Sequence, residues 1–154
     1  MLKFEDFNSA KNYLYNLKGK EIDTTGNWSY YQILHHLADS LEYTFRGGIT
    51  DISIPSFMQP IGKLLLMKFF FQGFMDSNLP NPIRKNTIIL GNTEEEYNRL
   101  LHLIDDFENF KNSYYPHPIF GNLSREEWRK LHAYHFANHL SYVVIKNEST
   151  INKS

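Results

Sequence analysis

His132, His135 and His139 sit within the run His132-Ala133-Tyr134-His135-Phe136-Ala137-Asn138-His139, whose spacing fits a helix. At about 100° per residue the three imidazoles share about 60° of arc on one face. Trp128, Tyr142 and Val143 lie on that same face, so it is predicted to point inward. Imidazole is the commonest protein ligand for zinc, nickel and iron, and a His-x-x-x-His pair places two ligands one turn apart on one helix. The same pattern also suits a helix that buries hydrogen-bonded histidines without any metal.

Other chemistry is narrowed by what the chain lacks. It contains no cysteine, which removes thiolate nucleophiles, disulfides and Cys-ligated clusters, so a metal site must use nitrogen and oxygen donors. His-Glu-x-x-His, the Glu-x-x-His pair of ferritin-like carboxylate sites, a Gly-x-Ser-x-Gly elbow and a phosphate-binding glycine loop do not occur. A formal net charge of -1 without a long basic run gives no electrostatic footprint for nucleic acid. The start, Met1 to Phe7, carries early acids and no continuous apolar run, so a cytoplasmic address is expected. The most apolar window, Leu64 to Met75, is interrupted by Lys68, Gln72 and Gly73 and is too short to span a bilayer, which needs about 20 residues.

Positioning these histidines requires helices, and four can be read from apolar spacing and start signals. The first covers about Phe4 to Leu17 and stops near Gly19. The second begins at Ser29, where Ser29 and Gln32 form a capping box and Trp28 with Ile33 a hydrophobic staple, and it ends before Gly47-Gly48. The third runs from Thr93 to about Phe110, with Thr93 and Glu96 in capping-box spacing and Glu94, Glu95 and Glu96 suited to the positive end of the helix dipole. The fourth starts at Ser124, paired with Glu127, with Leu123 and Trp128 as staple, and is predicted to continue to about Lys146. The connection from Gly47 to Asn92 has prolines at 55, 60, 80 and 82, and its apolar middle, Ile61 to Met75, is predicted to form an extra helix. Strand signals are few. The expectation is therefore all-α: one domain over 1–146, a four-helix bundle with a long crossover between helices two and three, and a flexible tail over 147–154.

Helix two contributes His35-His36-Leu37-Ala38-Asp39, and here periodicity does not choose. With Tyr30, Ile33, Leu34, Leu37, Leu41 and Phe45 as the core stripe, His35 and His36 stand on opposite shoulders at about equal angles.

Trp28-Ser29 leading into His36-Leu37-Ala38-Asp39, then His117-Pro118-Ile119-Phe120-Gly121, Trp128 and His135-x-x-x-His139, in that order, resembles the DinB/YfiT-like metalloenzyme superfamily, in particular a bacterial branch of uncharacterised function. The resemblance implies a four-helix bundle with a three-histidine site between helices two and four, its ligands falling on His36, His135 and His139. It implies a divalent ion, zinc or nickel first and iron as a third choice, and an activity of hydrolase or thiol S-transferase type on a small molecule. Leu140 and Tyr142 stand where characterised members often carry Arg and Gln, so the substrate is not implied.

Asp39, one turn from His36, and His132, one turn before His135, are candidates for site-adjacent roles, together with Tyr142 on the same face. His117 lies in a Pro-flanked loop that either closes over the bundle end and meets a ligand or forms a turn set by Pro116 and Pro118. His102 has no ligand-spaced partner and reads as structural or exposed. The aromatic content reads mostly as core, while Phe69-Phe70-Phe71 suits core, the lining of an apolar substrate pocket, a dimer face or contact with a membrane surface, and a homodimer fits both the resemblance and the apolar crossover. The rival reading is a non-catalytic helical module that binds a small apolar ligand or a partner, with metal absent or structural.

Overall fold

The computed structural model describes residues 2–47, 55, 58–76 and 90–146. Among them the fold is all-α, with five helices and one very short antiparallel ribbon. α1 (Phe7–Leu17) starts at Asp6, whose carboxylate accepts from the Ser9 amide, and buries Phe7, Ala10, Leu14 and Leu17 at three- and four-residue steps. α2 (Tyr30–Arg46) has the expected capping box on Ser29 and Gln32, and it stops at Gly47, whose φ of 68° lies in the region that favours glycine. α3 (Gln59–Gln72) is the helix anticipated in the crossover; Pro60 sits in its first turn and Gly73, at φ 78°, closes it. α4 (Thr93–Asn109) and α5 (Arg125–Leu140) complete the set, α5 carrying the predicted Ser124/Glu127 box.

Three local expectations change. The cap of α4 is Asn92 rather than Thr93: its side-chain oxygen accepts from the amides of Glu94 and Glu95, which starts the helix one residue earlier in the pattern. Glu96, read with its neighbours as helix-start chemistry, is 8% exposed and faces Arg99 and His35. The last helix does not reach Lys146. It ends at Leu140, and Val143–Ile145 forms β2, paired with β1 (Ile22–Thr24) in the register Ile22↔Ile145 and Thr24↔Val143. Three β-branched residues in succession favour an extended strand over a helix end, and a partner strand far upstream satisfies their backbone.

α2 packs against both α4 and α5, and α1 packs against α5. Leu34, Leu37, Leu41, Leu100, Ile104, Phe107 and Phe136 are among the fully enclosed side chains of the shared core. On the α4 side, the Arg99 guanidinium joins Asp39, Glu42 and Glu96, at 2.8, 2.5 and 2.6 Å, tying two helices through a single cation.

The His117-Pro118-Ile119-Phe120-Gly121 turn docks α3. His117 Nδ1 accepts from the amides of Ile119 and Phe120, the backbones of His117 and Gly121 exchange two hydrogen bonds of 2.8 Å, and Phe120 stacks on the imidazole. Gly62 of α3 lies against this turn so closely that a Cβ there would come within 2.1 Å of the Ile119 carbonyl oxygen. Lys63 donates to the Asn122 carbonyl, and Leu66 and Phe69 are buried on the same side. The opposite side of α3 leaves Ile61, Leu64, Met67 and Phe71 exposed, Phe71 at 96%. The sequence positions 147–154, expected as a tail, lie outside the described residues. No helix among the described residues is long and apolar enough to cross a membrane.

Three substitutions check these assignments. Asn92→Ala is expected to cost about 1 kcal/mol in urea unfolding while Thr93→Ala costs only a few tenths, because the orphan amides of α4 are bonded by residue 92. Gly62→Ala is expected to cost about 1–3 kcal/mol by overpacking against the turn, read as a lowered denaturation midpoint; an unchanged midpoint would contradict the close approach.

Candidate metal centre

The α2–α5 contact brings one imidazole from α2 and two from α5 together. His135 and His139 sit one turn apart on α5, and the ring centroids of His36, His135 and His139 are separated by 4.8, 4.5 and 4.7 Å, each pair strongly inclined. One ring nitrogen from each residue falls within 4.8 Å of the others, and all three side chains are half-buried. A group of this kind can hold a metal ion. Two nitrogens on one tetrahedral zinc lie about 3.4 Å apart, and His36 Nε2 and His135 Nε2 are 2.9 Å apart, so for this pair little movement separates the present arrangement from a coordinating one.

The hydrogen bonds around the rings favour one arrangement of protons. Ser40 Oγ donates to the Leu37 carbonyl at 3.0 Å and so offers its lone pairs to His135 Nδ1, 3.4 Å away. This favours the His135 tautomer with the proton on Nδ1 and the lone pair on Nε2, aimed at His36. His36 Nε2 is then the donor across the 2.9 Å contact, and a cation held at that nitrogen would require the His36 proton to sit on Nδ1 instead.

His35, the shoulder that periodicity left level with His36, turns the other way. Its Nδ1 is 3.1 Å from Glu96 and its Nε2 3.4 Å from Asp39, and the ring stacks on Tyr31. The choice between the two was set by which neighbour lies on each shoulder of α2: α4 with its carboxylate on one side, α5 with its histidines on the other. Asp39 belongs to the α4 side, bound to Arg99 and His35. His132 is 2% exposed; its Nε2 meets Thr44 Oγ1 at 2.8 Å, and its ring stacks on Trp128 among Phe7, Phe107 and Phe136. It is the hydrogen-bonded core histidine that a helix of this kind can accommodate. His117 organises its own turn, as described above, and Tyr142 packs its ring over Gly26 while its carbonyl accepts from the Thr25 amide.

Two residues against the triad were not among the site residues expected from the sequence. Ser40, one turn after His36, is an ordinary helix-surface residue until α5 is placed. Trp28 precedes the cap of α2 and has staple spacing, yet its indole lies flat on the His139 ring, 13° from parallel, and edge-on to His36.

Residues 1–146 match the model of a family described as Protein of unknown function (DUF1569). The chain belongs to this family. No curated protein and no solved structure matches it.

In this DUF1569 chain the histidines near α5 are held neutral. Burial lowers His117 and His132 to about 3 and His139 to about 4, and it pushes His135 well below its ordinary value, with help from the adjacent His139 and His36. Neutral imidazole is the form that ligates a metal. It also sets a pH dependence: the unfolded chain takes up these protons near pH 6.5 and the folded chain resists them, so the unfolded state binds more protons and stability declines as pH falls from 6.5 towards 4 and on to 3. Each such group contributes up to about 1.4 kcal/mol per pH unit in that window. Urea unfolding of chelator-treated protein is expected to lose several kcal/mol, on the order of 3 or more, between pH 6.5 and 4.5. A flat profile over that range would contradict neutral burial.

Proposed function

We propose that the protein is a metal-dependent enzyme of hydrolase or thiol S-transferase type acting on a small molecule, with a divalent ion held by His36, His135 and His139. The observation that carries this reading is the convergence of three half-buried imidazoles from two helices, each offering a ring nitrogen within 4.8 Å of the others. Zinc or nickel suits an all-imidazole donor set best, with iron third, and cysteine is absent from the chain. Three protein ligands leave a divalent ion with an open position, the arrangement of catalytic rather than structural sites. When bound, such an ion acidifies a water or thiol in that position towards neutral pH.

The residues of the chain supply the rest. Ser40 holds the proton of His135 on Nδ1 so that Nε2 faces the centre. Trp28 walls one side, stacked on His139. Within this reading the family is a branch of the DinB/YfiT-like superfamily; the ordered motifs from Trp28-Ser29 to His139 support it. The outward face of α3, with Ile61, Leu64, Met67 and Phe71, suits a homodimer contact.

The same α3 face favours a second reading, a helical module that binds a partner without catalysis. The two differ in that only the enzyme reading requires a metal with an open position; the module carries none or a structural one. Protein purified without a metal-affinity tag is expected to carry about one zinc or nickel per chain by elemental analysis, and thermal stability of stripped protein is expected to rise on adding either ion. His135→Ala is expected to abolish both effects. Absence of bound metal together with no thermal response to zinc or nickel would sink the enzyme reading and leave the partner-binding one.

A further inference from the structure

A histidine ligand is useful to a metal only while its lone pair is aimed, and the three rings here are restrained by different means. His135 has Ser40 at Nδ1. His36 is edge-on to Trp28 and 2.9 Å from His135. The His139 ring makes no hydrogen bond among the described residues; its flat contact is the Trp28 indole, with centroids 5.4 Å apart and planes 13° from parallel. One indole therefore touches a ring from each of the two helices that form the site.

The indole is itself anchored. The anchoring is through the main chain: the Trp28 backbone carbonyl accepts from Thr24 Oγ1 at 2.8 Å, the next residue is the cap of α2, and Thr24 is the last residue of β1. β1 pairs with β2, which begins three residues after α5 ends, while the Thr25 amide donates to the Tyr142 carbonyl and Gly26 lies under the Tyr142 ring. The ribbon thus ties the entry of α2 to the exit of α5, and Trp28 is the side chain that this tie presses against the imidazoles. The ribbon has only three residues in each strand and little core of its own, so its placement is best accounted for by what it holds.

We propose that Trp28 is a positioning residue of the metal site, setting the ring planes of His139 and His36 and with them the affinity and geometry of the bound ion. The inference rests on the three-histidine reading above. Stacking fixes a plane without consuming a ring nitrogen, so the His139 nitrogens stay available to a ligand, which a hydrogen-bonding neighbour would not guarantee.

Cobalt(II) serves as the probe, because its visible absorption reports coordination geometry without any turnover. Stripped wild-type protein, Trp28→Phe and Trp28→Leu are titrated with cobalt, and the thermal midpoint of each metal-free form is measured alongside. Trp28→Leu keeps apolar bulk but removes the flat face, and it is expected to weaken cobalt binding by about fivefold or more and to change the visible spectrum. Trp28→Phe restores a planar ring and is expected to recover the wild-type spectrum. A smaller loss of affinity in Trp28→Leu, whatever happens to its thermal midpoint, overturns the assignment and leaves Trp28 as packing. Failure of the wild-type protein to bind cobalt overturns the metal site itself, a result distinct from equal binding by wild type and variant.

Discussion

The approach of α2 to α5 is the constraint on which the rest of the structure turns, because three imidazoles meet only if those two helices keep one register. Sliding α5 by one residue rotates its face by about 100° and sends His135 and His139 away from His36. Several unrelated contacts hold that register. The core leucines of α2 and the Phe136 ring supply non-directional packing, the Ser40 hydroxyl reaches across to His135, and the ribbon joins the start of one helix to the end of the other. From behind, the Arg99 guanidinium gathers carboxylates from α2 and α4, so α2 is fixed on its far side as well.

Such a site works against stability in one respect. Burying imidazoles requires that they remain neutral, and the chain keeps His117, His132, His135 and His139 in that state by shielding them from water. Two of the four are used structurally, His117 to close the turn that seats α3 and His132 to bond Thr44 inside the aromatic core. The other two face His36. The same solvent exclusion that makes these groups acid-sensitive presents them as ready donors, so core packing and ligand chemistry have one physical origin here.

Much of this was legible in the chain. The 135/139 pair follows from helical spacing, and the Ser29 and Ser124 boxes mark the starts of the two helices that build the centre. The choice of His36 over His35 was not readable from periodicity, since a wheel gives angles and not neighbours; only the placement of Glu96 on one side and α5 on the other separates them. The end of α5 was misread because a helix stop without glycine or proline leaves no local mark, and the β-branched run Val143-Val144-Ile145 finds its partner at Ile22–Thr24, more than a hundred residues away in sequence. Ser40 and Trp28 became visible as site residues only through contacts between elements. Asp39 has the spacing of a neighbour to His36, but the charge of Arg99 draws it towards α4.

The central claim is that residues 36, 135 and 139 coordinate one ion. X-ray absorption at the zinc edge of the loaded protein tests it directly. The account predicts a first shell containing three imidazole nitrogens at about 2.0–2.1 Å with one or two lighter exchangeable ligands. A shell made chiefly of oxygens, or one with fewer than three imidazoles, would contradict it.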